Sequence, residues 1–435
     1  MIKKNIICTI LLSYIMFHCL PASSENQSIN WTAIEPPQFL PDPQQSNNIR
    51  SETSAYLKCV YKKSIDDDTQ VASSWAWGRN PSSPKEYAKI YGHWYNGKIL
   101  TNMFYTKAAY QELKDICQST LKQKNITSNI ILPYASNQYL PYYYNFWSEG
   151  KNIPKQSIGY AQFDRMVIFG DSLSDIINVY NVTQRIVPNH NSWFLGHFSN
   201  GKLWHEYLTD AFDLPAYVWA TGNAESGDKI IFPGLSSQLE SFIKYSNKSH
   251  DYDISQTLFV ASFGINDLLS GGKTAKDVLD NYNKQLPILA NTGAKKIVIM
   301  NIPDLLIAPM TKSWNPSKKE NMRRNIDLLN EQLPILISEL RIKYPDIHWI
   351  EVDLHSAFAS ILADPEFVNT TDACLDMSNS RLSFLKAHNV KSDCKKANGK
   401  FMFWDVLHPT TLSHQKLAKI IQASLLKSLA NDSKS

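Results

Sequence analysis

The chain has 435 residues, 44 Lys and Arg against 40 Asp and Glu, a formal net charge of +4 and an aromatic share of 11%. That length accommodates one large domain or two of ordinary size. A charge balance this close to neutral argues against nucleic acid as a partner.

The N-terminus, "MIKKNIICTILLSYIMFHCLPASSENQS", has a basic start and an apolar run from Ile6 to Leu20, followed by the small residues Ala22 and Ser24. This pattern predicts a signal peptide over residues 1–24, cleaved near Ser24–Glu25. The competing reading is an uncleaved anchor, but the run is shorter than a membrane span needs. The expectation is a secreted, extracellular chain, whose charge falls to +2 once Lys3 and Lys4 leave. Of six cysteines, Cys8 and Cys19 leave with the leader. The four that remain allow three pairings in an exported chain, and their placement in two separated regions favours Cys59–Cys117 and Cys374–Cys394. A zinc site is disfavoured because no pair has the short spacing zinc takes.

Residues 25–50 are polar and proline-rich and read as a mobile leader. Residues 51–160 hold short aromatic clusters, "WAWGRNP", "YAKIYGHWYNGKILTNMFY" and "YLPYYYNFW", broken by Gly, Pro and Asn, which predicts a β-rich domain. Within it, residues 106–122 have helical periodicity. Such aromatics either pack a small core or dock on lipid, and packing is the commoner use.

A second domain, residues 161–435, has an α/β pattern. "RMVIF" (165–169), "TLFVAS" (257–262), "KIVIMN" (296–301) and "HWIEVD" (348–353) read as buried parallel strands. The helical stretches between them, one stopping at Gly293 and one at Pro345, imply a doubly wound parallel sheet. Chemistry in such sheets gathers at the carboxyl ends of the strands. "SGGKT" (270–274) is no phosphate loop, because Asp267 stands where its first glycine belongs.

At the first of those strand ends stands "VIFGDSLSD" (167–175). Turns favour the same residues, but Ser172 is also placed to be a nucleophile, which needs a base, an orienter and oxyanion donors. "DVLHP" supplies Asp405 and His408, spaced so that the carboxylate can reach Nδ1 and leave Nε2 for the serine. His414 is a rival base, but its place in a helical pattern reads as a solvated face. "FGIND" ends another strand with Asn266, a fixed amide donor. Gly222, in "WATGNAESG", offers an unobstructed backbone N–H, and the Ser172 N–H would be the third donor. The elbow G-x-S-x-G fails because Ser174 takes its last glycine position. His190, His197 and His205 match no metal spacing, so no metal or cofactor is assigned.

"FGDSLSD", "GIND", "DVLHP" and "NIPDLLIAP" (301–309) resemble the signature blocks of the GDSL, or SGNH, esterases and lipases, over roughly residues 163–430. The resemblance implies a three-layer α/β/α hydrolase with Ser172, Asp405 and His408 as catalytic residues and Ser172, Gly222 and Asn266 as the oxyanion hole. The usual glycine pair is Gly222-Asn223 here, which leaves both open as the backbone donor. The family's "DTGN" is Asp175-Ile176-Ile177-Asn178. Residues 55–120 resemble the leading domain of lecithin-dependent haemolysins, a group close to bacterial glycerophospholipid:cholesterol acyltransferases. This implies phospholipase A and lysophospholipase activity through an acyl-Ser172 intermediate, with phospholipid and lysophospholipid substrates, cholesterol as acyl acceptor, and work at a membrane surface. Acyltransferases of this kind resemble the chain in carrying a disulfide-closed loop opened by an activating protease. Here that loop is 374–394, with Arg381, Lys386 and Lys391 as cut sites. The alternatives are an esterase for small or carbohydrate esters, and a non-catalytic membrane-binding lysin.

Overall fold

The computed structural model describes residues 28–36, 53–95, 103–136, 143–150, 153–229, 232–269 and 272–430. The predicted signal peptide lies outside them. Strands β1 (Ile29–Thr32), β2 (Ser54–Lys62), β3 (Ser73–Trp77) and β4 (Tyr87–Tyr91) form an antiparallel sheet in the order β1-β4-β2-β3. β5 (His93–Tyr95) and β6 (Met103–Thr106) follow, then α1 (Tyr110–Gln123), β7 (Ile131–Ser136), which pairs with β2, and β8 (Asn145–Ser148), which pairs parallel with β6. β1 corrects one expectation. Residues 29–32 belong to no mobile leader, because Ile29 is buried and the segment pairs with β4 in register from Ile29 opposite Ile90.

Alternation explains how this region is held. Ala55, Leu57 and Cys59 share one face of β2 and meet Leu113, Ile116 and Cys117 of α1 in one buried cluster. The Cys59–Cys117 disulfide crosses it, with Cα atoms 5.1 Å apart. Val60, on the other face, packs with Leu132 and Tyr134 into the core of the α/β part. Much of the described aromatic content is core: Phe104, Tyr105, Phe146 and Trp147 are buried, whereas Trp75 and Tyr91 are exposed.

The α/β part opens with a hairpin, β9 (Gln156–Ile158) and β10 (Ala161–Phe163), and continues as β11 (Arg165–Phe169), α2 (Asn178–Val182), α3 (Trp204–Phe212), β12 (Ala216–Val218), α4 (Leu235–Ser246) and β13 (Thr257–Ser262). Next come α5 (Ile265–Leu269), α6 (Ala275–Ala290), β14 (Lys296–Met300), α7 (Pro316–Lys343), β15 (His348–Val352) and α8 (Leu354–Leu362). The chain ends with β16 (Asn369–Ala373), α9 (Ser392–Lys396), β17 (Phe401–Phe403) and α10 (Thr411–Leu429). Five parallel strands lie in the order β12-β11-β13-β14-β15. Successive residues of each strand serve opposite faces. Met166 and Ile168 pack with α3, α8 and α10, whereas Val167 and Phe169 pack with α4, α6 and α7. The result is the expected three-layer α/β/α domain. β12 escaped sequence reading because three residues carry too little pattern.

Candidate active site

β11 ends at Phe169, and Gly170, Asp171 and Ser172 follow at its carboxyl end. Gln238 of α4 clamps the exit: its side chain accepts from the Gly170 N–H at 2.9 Å and donates to the Gly170 carbonyl at 2.8 Å. Ser172 itself is buried.

Its partner imidazole arrives from 236 residues along the chain, in the turn between β17 and α10. His408 Nε2 lies 2.8 Å from Ser172 Oγ, and His408 Nδ1 lies 2.8 Å from Asp405 Oδ2. The three-residue spacing works because Asp405 Oδ1 also accepts the backbone N–H groups of Leu407 and His408, each at 2.8 Å. The carboxylate thus closes its own turn while meeting the imidazole. Burial alone would raise the Asp405 carboxyl, but the His408 ring and these hydrogen bonds outweigh it and hold it below its ordinary value. The neighbouring carboxyls go the other way: burial pushes Asp171 and Asp175 up to about 6. Asp405, in hydrogen-bond contact with His408 Nδ1, is the carboxylate that orients the ring.

A fourth group is part of this arrangement and was missed in the sequence. Trp193 Nε1 donates to Asp405 Oδ2 at 2.9 Å, from a fully buried ring. Its motif context, "HNSWFLGH", has no feature that separates it from ordinary core. The His408 ring is also flanked by Phe198 and Phe384, with centroids 5.0 and 5.6 Å away.

The expected oxyanion donors are only partly as read. Asn266, on α5, reaches the site because Gly264, at φ +125°, turns the chain out of β13 in a conformation side chains rarely adopt. Asn266 Nδ2 donates to the Ala224 carbonyl at 2.9 Å and makes a long contact to Asp171 Oδ2 at 3.5 Å, the bond a substrate oxygen would displace, and Asp267 holds the same loop by accepting from the Ser226 N–H and Oγ. The Gly222 N–H is not open to substrate: it donates to Asp175 Oδ2 at 2.7 Å. Asp175 is a buried carboxylate that also takes the N–H groups of Asn178 and Val179, and it recruits Gly222 as a third donor. Asn223, at φ +65°, is the next residue, lines the same cavity, and its N–H has no acceptor among the described residues. Gly222 matters sterically instead, since a Cβ there would fall 2.6 Å from the Phe198 ring.

His414 corrects another expectation. It is buried, not solvated, and neither ring nitrogen has a hydrogen-bond partner. Burial, then the nearby histidines 205 and 408, lower it to about 3.

Two clefts meet at Ser172 and His408. One is a narrow crevice walled by Ile265 and by Pro303, Leu305, Ile307 and Ala308 of the "NIPDLLIAP" segment. The other is a largely apolar cavity of about 410 Å³, lined by Ser172, Asn223, Asn266 and His408 together with Val179, Phe198, Met310, Leu382, Phe384 and Leu385. The last three belong to the 374–394 loop, closed by the Cys374–Cys394 disulfide. That loop is fastened over the site. The Asn189 N–H donates to the Phe384 carbonyl at 3.0 Å, and the His388 N–H donates to Ser192 Oγ at 2.7 Å. No helix among the described residues is long and apolar enough to cross a membrane.

A buried hydroxyl, an imidazole oriented by a carboxylate, the Ser172 and Asn223 N–H groups without an acceptor among the described residues, and an apolar cavity suit acyl transfer from a hydrophobic ester. Comparison with known proteins agrees. Residues 166–421 match the family described as GDSL-like Lipase/Acylhydrolase, and residues 25–149 match the N-terminal domain of the Vibrio dual lipase/transferase. The chain is 33% identical over 381 residues to a thermolabile hemolysin of Vibrio parahaemolyticus, covering 86% of this chain and 88% of that protein. It is 28% identical over 307 residues to a phosphatidylcholine-sterol acyltransferase of Aeromonas hydrophila, covering 59% of this chain and 88% of that one. A solved lipolytic G-D-S-L protein from Veillonella parvula aligns with a TM-score of 0.33 at 12% identity, covering 60% of this chain and 96% of that one.

Proposed function

The chain belongs to the GDSL-like lipase/acylhydrolase family and is a serine ester hydrolase/acyltransferase, and from that premise we propose that it is a secreted phospholipase A and lysophospholipase that also transfers acyl groups to cholesterol. The observation that carries this reading is the cavity of about 410 Å³ that opens on the Ser172–His408 pair, with apolar walls suited to an acyl chain. Similarity to a phosphatidylcholine-sterol acyltransferase supports the choice of glycerophospholipid and sterol.

In the proposed cycle Ser172 Oγ attacks the ester carbonyl as His408 Nε2 takes its proton. The oxyanion is met by the Ser172 and Asn223 N–H groups and Asn266 Nδ2. Collapse expels the lysophospholipid alkoxide, which takes the proton from His408 and leaves acyl-Ser172. Water or the sterol hydroxyl then attacks the acyl carbon, its proton passing to His408 and back to Ser172 Oγ. Transfer exceeds hydrolysis only where the pocket orients the sterol and restricts water. The 374–394 loop restricts the site until a protease cuts it, with Arg381, Lys386 and Lys391 as its cut sites.

The test is release of fatty acid and cholesteryl ester from phosphatidylcholine–cholesterol vesicles by intact protein, protein nicked between Cys374 and Cys394, and Ser172→Ala. Ester formation that rises on nicking and vanishes in the variant is the expected result. Fatty acid without sterol ester reduces the reading to a phospholipase. Turnover confined to short soluble esters replaces it with a small-ester esterase.

A further inference from the structure

The segments that wall the catalytic cavity also wall a second one. Val179, Thr183 and Val187 line the first, while Tyr180, Arg185 and His190 of the same stretch line the second. The disulfide loop is shared in the same way, with Leu382, Phe384 and Leu385 on one side and His388, Asn389 and Val390 on the other. Residues 69–75, which run into the start of β3, complete the wall with Tyr143 and Lys395. The second cavity measures about 550 Å³ and is polar, and no Asp or Glu lines it among the described residues.

Its cations lack counter-charges. Arg185 makes no side-chain hydrogen bond or ion pair among the described residues, and its Nε is buried without a partner. Its nearest aromatic faces, Tyr143 and Tyr180, are 5.8 and 5.9 Å from the guanidinium carbon, at the outer edge of cation–π range, and neither supplies the charge of a carboxylate. Two buried cations elsewhere are paired with acids: Arg165 with Asp164 at 2.8 Å, and Lys62 with Asp68 at 3.2 Å. Asp67, next to this wall, accepts from the Thr69 N–H and Oγ. Behind the wall, Lys58 is buried against the rings of Trp75 and Tyr143, both lining residues, at 4.8 and 4.7 Å. Burial first, and the Arg185 charge second, lower the Lys58 ammonium to about 7. Arg185 thus lines a polar cavity that holds no acid among the described residues, and its partly buried guanidinium is left for an anion to complete.

We propose that this cavity binds a phosphate-class oxyanion, held by the Arg185 guanidinium, with His190 and Lys395 at its mouth and the hydroxyl and amide groups of Ser73, Asn191 and Asn389 as neutral donors. The planar guanidinium fork suits two oxygens of one phosphate. A bound oxyanion would bridge Asn389 of the disulfide loop to the body of the protein. The chemistry is shared by free phosphate and by a phospholipid headgroup.

Inorganic phosphate titrated into the full chain at constant ionic strength should raise Tm saturably by about 2–4 °C. Arg185→Gln should abolish that response. Lys395→Gln, at an exposed position that folding does not depend on, should weaken the apparent affinity several-fold. Sedimentation with phosphatidylglycerol or phosphatidylcholine vesicles, in a Ser172→Ala background to prevent turnover, separates the two sources. Phosphatidylglycerol retention that Arg185→Gln removes and phosphate competes supports a headgroup site. A phosphate response without Arg185-dependent retention supports a site for free phosphate. A Tm indifferent to phosphate, with equal vesicle retention by the parent and Arg185→Gln, would overturn the proposal. So would a phosphate response that persists unchanged in both variants.

Discussion

Asp405 illustrates how much one carboxylate organises. It accepts from the Leu407 and His408 N–H groups, from His408 Nδ1 and from Trp193 Nε1. Trp193→Phe keeps the ring and deletes the last of these. The remaining carboxylate charge then falls more fully on the imidazole, so the acid limb of kcat/KM should move to higher pH with a modest fall in kcat, read from pH–rate profiles. Asn266→Ala is expected to behave differently. Loss of an oxyanion donor costs roughly 10²–10³ in kcat and should leave the limb in place. A folded Asn266→Ala variant losing under threefold would remove that side chain from the oxyanion hole. The contrast separates a residue that positions the base from one that meets the developing charge. In the sequence, Ser172, Asp405, His408 and Asn266 stood out because each ends an apolar run or sits at a telling spacing. Trp193 did not, because a tryptophan in an aromatic stretch reads as core, and here it is core as well.

At the scale of elements, the loop 374–394 is the part whose chemistry depends most on contacts that sequence spacing does not encode. Its disulfide was expected from cysteine placement, but not that Phe384 would lie between Trp193, Phe198 and His408. The contacts with Trp193 and Phe198 join segments about 190 residues apart in the chain, beyond the reach of local pattern. Phe384→Ala opens the cavity to water beside His408. The ratio of fatty acid to cholesteryl ester should then rise several-fold on mixed vesicles, and an unchanged ratio would show that the ring does not govern acceptor choice. The oxyanion loop teaches a related point. Which backbone N–H of Gly222 and Asn223 is unengaged was undecidable from sequence, since it turns on Asp175 recruiting Gly222. The helices and strands of the α/β part were easier, as their periodicity is local. The strand predicted over 165–169 matches β11, and the one over 257–262 matches β13.

For the whole molecule, the histidines packed behind the site set a pH dependence that no linear motif announced. His205 and His414 are buried, and burial lowers them to about 4 and about 3. The unfolded chain therefore binds their protons near pH 6.5 while the folded chain refuses them, so they withdraw stability as pH falls from 6.5 toward 4 and 3. Asp171 and Asp175, raised to about 6, act in the opposite sense between about pH 6 and their unfolded value. The difference between proteins is thus the clean readout. His414→Gln should lose about 2 kcal/mol less than the parent between pH 7.5 and pH 5, measured by denaturant unfolding. Equal losses would mean that the His414 ring takes up its proton without cost. The central claim concerns chemistry at Ser172, and an alkyl fluorophosphonate tests it most directly, followed by peptide mapping by mass spectrometry. The account predicts one stoichiometric adduct on the Ser172 peptide, absent in Ser172→Ala and formed far more slowly in His408→Ala. An adduct on another serine, or an unlabelled Ser172 in protein that still releases fatty acid, would contradict it.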